Sequence, residues 1–270
     1  MISMGTVWDR TKAVIAGRLG ILLSLALVFL FAPTVVQASV DAMAETPGQP
    51  GSGTAILSLM VSLLATVGTL AITAVATDPN VDRPRAAALG IQRLGPAIGI
   101  VLLLTLAALL IVMPGVLLMV AAGLDVTRAQ LGQAQANLNL GVAAAAGLYF
   151  ILFFALMFWV TARFVPLLAV IVNERRGLGA IRRSFELTRG STWKLIGVLI
   201  LFGIVCLVAV VAATNVAGLI TRLIVGPDQP GLVALAVAIT TAALTALFGI
   251  IQSVFSGQFY LAARDVKDAA

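Results

Sequence analysis

Six apolar blocks, each about as long as a membrane-crossing helix, dominate the sequence and leave its charge between them. A helix needs about 20 residues to cross the ~30 Å hydrocarbon layer, where backbone N–H and C=O groups must be satisfied without water. The blocks fall at about 19–40, 54–77, 96–122, 140–166, 193–215 and 232–263. Only 10% of the 270 residues are charged, against about a quarter in soluble domains. The sequence therefore predicts an all-α polytopic membrane protein, a single six-span domain over 1–270.

The placement of Lys and Arg predicts the orientation. Fourteen of them lie up to Arg18, over 78–95, over 173–194 and from Arg264 on; the three opposite loops hold only Arg128 and Arg222. Such asymmetry marks the cytoplasmic side, so both termini are expected there. The loop over 41–53, with two acids and no Lys or Arg, is expected to be exported. The same N-terminus also fits a secretory signal, with apolar residues 19–32, Pro33 and a Val36-Gln37-Ala38 cleavage site.

Each odd-numbered block follows a basic amphipathic segment: 5–17, 81–94 and 178–189. The segments end at Arg18-Leu19-Gly20, Arg93-Leu94-Gly95 and Arg189-Gly190, which reads as three helices stopped by glycine, each followed by a helical hairpin. Helical spacing groups Ala87, Ile91 and Leu94 on one face, and Leu178, Ile181 and Phe185 on another. Pro114-Gly115 predicts a kink or an early end near Met113. The apolar run from 140 to 172 exceeds one crossing, so either it tilts strongly or it exits near Arg163 and residues 166–172 bend along the interface.

The cluster of cations between the fourth and fifth blocks is the candidate site. Arg175, Arg176, Arg182, Arg183, Arg189 and Lys194 lie there, with Arg163 near the end of the block before. A basic amphipathic helix at a membrane surface attracts anionic headgroups by about 1 kcal/mol per cation. Ser191 is placed to cap the fifth span, and Trp193 to anchor it at the interface.

Residues 163–166, then Asn173-Glu174-Arg175-Arg176-Gly177, then AIRRSFELTRGSTWK, closely resemble the six-helix membrane domain that accompanies some bacterial glycerophosphoryl diester phosphodiesterases, and the stand-alone YciC-like inner-membrane proteins. The resemblance implies a bacterial inner-membrane protein and carries over no catalytic residue.

The residues themselves supply no catalytic constellation. There is no histidine to act as general base, the eleven acids are scattered through loops and termini, and no phosphate loop, CxxC or HExxH occurs. No metal site and no cofactor is implied, and within these 270 residues no soluble catalytic module is expected. Cys206, the one cysteine, sits in an apolar block as a small hydrophobe. The net charge of +6 gathers beside apolar blocks, unlike a nucleic-acid-binding stripe. The sequence thus predicts a non-enzymatic membrane protein whose partners are membrane lipids, anionic phospholipid among them, and other membrane proteins. The alternative is a transporter of a small solute or lipid with Arg163 in its path, aided by Asn215, Gln252 and Gln258.

Overall fold

In the computed structural model, which describes residues 3–43, 52–124, 138–226 and 229–269, every regular element is a helix. In chain order these are α1 (Met4–Ala26), a π-helical turn (Leu27–Phe31), α2 (Ala32–Met43), α3 (Ser52–Thr77), α4 (Arg83–Ala121), α5 (Leu140–Phe164), α6 (Leu167–Asn173), α7 (Gly179–Thr188), α8 (Thr192–Val225) and α9 (Pro230–Asp268). Six helical stretches are long and apolar enough to cross a membrane, among them Met4–Asp41, Arg83–Ala121 and Pro230–Asp268. The six-span all-α reading holds. The loops expected over 41–53 and 124–139, and Asp228, lie largely outside the described residues.

The chain forms two compact units, Met1–Ala97 with Phe164–Ala270, and Ile98–Arg163. The first is built around the C-terminal half of α3, where Leu70, Ala71, Ile72 and Thr73 are fully buried. The last carbonyls of a helix lack intrahelical donors, and α1 supplies them. The Arg18 guanidinium donates to the carbonyls of Val75 at 2.8 Å, Asp78 at 3.0 Å, Pro79 at 2.5 Å and Val81 at 3.0 Å. Arg18 itself leaves helical geometry (φ −129°, ψ 19°), which kinks α1 between its N-terminal part and the span. The buried Gln258 amide on α9 donates to the Ala76 carbonyl at 2.6 Å. Gly257 beside it lets α9 approach, since a Cβ there would lie 3.0 Å from the Thr77 methyl.

The π-turn has a cause in the sequence. Pro33, in the first turn of α2, has no N–H to give and crowds the carbonyl four residues earlier, and a widened turn relieves that clash. The excess apolar length after 140 is likewise explained. Helix α5 ends at Phe164, the chain turns at Val165-Pro166, and α6 resumes with Leu167, Ala169, Val170, Ile171 and Val172 all buried. The helix thus breaks near Arg163, and residues 167–172 pack inside the first unit. The Val165 carbonyl, left free by the turn, accepts from Ser256.

Of the three expected stops, one is realised. Gly190 adopts φ +89°, a left-handed conformation that costs little only for glycine, and separates α7 from α8. The first is a kink at Arg18 within α1, and the second is no stop at all: α4 runs unbroken through Gly95 and Pro96. The expected faces also shift. In α4 small residues are buried, Ala86 and Gly90, the latter against Val67 of α3, while Ile91 is exposed. In α7 the buried positions are Ala180, Ser184, Leu187 and Thr188, with Leu178 exposed before them. Small side chains let membrane helices approach closely, and large apolar ones can remain in lipid.

Within the second unit, α4 continues through Pro114 to Ala121, contrary to the expected early end. Gly115 leaves room for the Tyr149 ring, whose hydroxyl donates to the Ile111 carbonyl in the turn before Pro114. Phe150, Phe153 and Phe154 extend an edge-to-face aromatic row along α5 from Tyr149.

Two glycines of α4 separate these readings. A Cβ at Gly90 would sit 2.6 Å from the Val67 carbonyl oxygen, whereas at Gly95 it would meet nothing within 4 Å. Gly90→Ala is expected to lower the thermal midpoint in detergent despite the ~1 kcal/mol helix-propensity gain. Gly95→Ala is expected to hold or raise it. A loss at Gly95 equal to that at Gly90 would restore it as a helix stop.

Candidate functional site

The central basic segment begins where α6 ends. Glu174 closes α6, Arg175 takes the left-handed conformation with φ +52°, and the chain turns through Gly177 into α7. Thr188 ends α7, Gly190 redirects the chain, and α8 begins at Thr192. Ser191 stands at the N-cap position, but its side chain makes no capping hydrogen bond; the Thr192 hydroxyl instead donates to the Thr188 carbonyl at 3.1 Å.

The six cations of this segment divide into two sets. Arg183, its side chain only 15% exposed, turns inward: Nε donates to Glu174 at 3.2 Å and the terminal nitrogen to Asp268 at 2.7 Å, with Glu186 at 3.9 Å. Glu174 also pairs with Arg176 at 3.0 Å and accepts from the Tyr260 hydroxyl at 3.2 Å. The hydrogen bond with Asp268 foremost, then Glu174, raises the Arg183 guanidinium pKa against the opposing effect of desolvation. This network ties the end of α6, the middle of α7 and the end of α9 together.

Arg175, Arg182, Arg189 and Lys194 are exposed. Arg182 meets Glu186 one turn on at 3.1 Å, yet remains 88% exposed. Trp193, 82% exposed, stands beside Lys194 at the start of α8, and Leu178 is exposed at the start of α7. Phe185 stacks edge to face on Phe164 at 5.4 Å, so its ring packs against protein.

Arg163 lies in the second unit, in the last turn of α5, with its guanidinium 5.0 Å from the centre of the Trp159 ring. A cation in that position interacts favourably with the helix dipole and with the aromatic face. Two other polar groups of the spans serve the backbone: Gln258 holds the Ala76 carbonyl, and the Asn215 amide donates to Val211 at 2.7 Å on its own helix, while Gln252 is exposed. Among the described residues no group of histidine, cysteine or acidic side chains could hold a metal ion.

The contacts at Arg18, Tyr260 and Asp268 were not foreseen from sequence. Each joins residues 57 to 86 positions apart, and no local spacing reports such a pairing.

The two sets of cations are expected to respond differently to truncation. Arg183→Ala leaves Glu174 and Asp268 without their shared partner and should lower the thermal midpoint by about 5 °C or more, somewhat less than a fully buried pair would. Arg182→Ala removes a surface pair worth about 0.3–0.5 kcal/mol and should change the midpoint little. Equal midpoints for the two variants would refute the inward network.

No curated protein and no solved structure matches the chain. Residues 142–264, which include α6, α7, α8 and most of α9, match a family described as the membrane domain of glycerophosphoryl diester phosphodiesterase. The match is to a membrane domain and not to a catalytic one. Residues 142–264 of this multi-pass membrane protein, a little under half of the chain, are therefore similar to the membrane domain of glycerophosphoryl diester phosphodiesterase, the family that segment 163–194 resembles.

Proposed function

We propose that the protein is a non-catalytic component of the bacterial inner membrane, with both termini cytoplasmic, that organises or senses lipid through its central basic segment and so recruits partner membrane proteins. The observation that carries this reading is the division of the cations. Arg183 is used to hold the fold, while Arg175, Arg182, Arg189 and Lys194 stay exposed on one continuous segment beside Trp193. A tryptophan at the start of a span marks headgroup level. Cations at that level meet phosphate, and each adds about 1 kcal/mol of attraction to an anionic leaflet.

The full chain in nanodiscs tests this. With Arg175, Arg182 and Arg189 all changed to Gln, retention of anionic over zwitterionic phospholipid should fall by about fivefold per charge at low ionic strength. The difference from the parent should shrink as salt rises. Unchanged lipid preference would leave these cations as orientation signals only. For the orientation, a reporter fused at the C-terminus should read as cytoplasmic, and Asp41→Cys in a Cys206→Ser background should react with an impermeant thiol reagent from the opposite side. An exported C-terminus would overturn it.

A further inference from the structure

The first unit holds an apolar groove of about 490 Å³ between the N-terminal part of α1 and the helices α8 and α9. Its α8 wall runs from Val198 through Leu201 to Val205, and its α9 wall from Phe248 to Phe255. On each helix that is eight residues, or about 10 Å of rise. Phe202 and Phe248 meet edge to face at 5.8 Å between the two walls, and Phe255 is buried. Leu201 and Val205 are exposed, so the groove opens outward, and the exposed Trp8 of α1 borders it.

Charge at one end of the groove identifies the occupant. Positions 194, 198, 201 and 205 recur on one helical face, which places the exposed Lys194 one turn before the groove wall and beside the interfacial Trp193. An apolar slot with an exposed cation one turn beyond its α8 wall complements an amphiphile with a phosphate above its chain.

We propose that the groove seats one acyl chain of a glycerophospholipid whose phosphate pairs with Lys194, with the N-terminal part of α1 along its side. The kink at Arg18, fixed by the four carbonyls at the end of α3, turns Met4 and Trp8 to where they can border the chain. The proposal shares its ligand class with the function proposed above but uses none of Arg175, Arg182 or Arg189.

The test uses the full chain in mild detergent with a phospholipid carrying a photoactivatable group midway along one acyl chain. Label mapped by mass spectrometry should concentrate on peptides bearing 198–205 and 248–255, well above the equally exposed Leu106 and Leu110 of α4. Leu201→Trp, which fills the groove, should abolish the concentrated label. Val205→Trp fills it from the deeper end and is read if the first variant loses its thermal midpoint. Lys194→Gln should lower lipid retention by about fivefold. The triple Arg→Gln variant should keep the groove label even where its anionic preference is gone; groove label without any arginine-dependent preference would sink the proposed function alone. Uniform label over all lipid-facing helices, or label that survives both tryptophans, would overturn the groove site. So would disulfide-linked dimers of Leu201→Cys in a Cys206→Ser background, which would put a second copy in the groove.

Discussion

The arginine at position 18 satisfies a requirement that hydrocarbon imposes on every helix end. Carbonyls at the terminus of α3 have no donor in their own helix, and at the edge of a membrane water serves them incompletely. One planar guanidinium meets the Val75 carbonyl in the last turn of α3 and those of Asp78, Pro79 and Val81 just beyond it, across a gap of about sixty residues, and Gln258 meets the Ala76 carbonyl. Lysine, a point charge with three donors, has no equivalent fork. Because the acceptors lie in the α3–α4 turn while the donors sit on α1 and α9, the arrangement fixes three helices with respect to one terminus. One groove wall lies on α9, and the basic segment is tied to the same helix through Asp268 and Tyr260.

How much of this was legible follows from what periodicity encodes. The six spans were legible because hydrocarbon thickness sets block length directly, and 140–172 announced its own irregularity by being too long. The faces were not. Helical spacing identified Ile91 and Leu178 as members of apolar faces, and in water such residues would turn inward. In a bilayer, burial carries no hydrophobic advantage over lipid contact, and close packing through Ala86, Gly90, Ala180 and Ser184 decides instead. The glycine at 95 was misread for a related reason. In sequence it matches the glycine at 190, and only the backbone angle of the latter separates a stop from an ordinary helical residue.

The candidate site was legible as a segment but not as a division of labour. All six cations look alike in sequence, and the i, i+3 and i, i+4 relations of Glu186 to its neighbours are real but superficial. What separates Arg183 from Arg182 is an acid on another helix. The acids considered from sequence were scattered, and the fold gathers Glu174 and Asp268 around one guanidinium.

That pairing has a consequence for biogenesis. Asp268 follows Arg183 by 85 residues, with two complete spans between them. While α8 and α9 are still being threaded into the bilayer, Arg183 has Glu174 and Glu186 near it but lacks this partner, and under the orientation proposed above it adds to the bias that retains a basic loop on one side. Once α9 is in place the same charge is neutralised locally and closes the fold. One residue thus acts first as a sorting signal during insertion and later as a latch, and the second role cannot begin until the last helix has arrived.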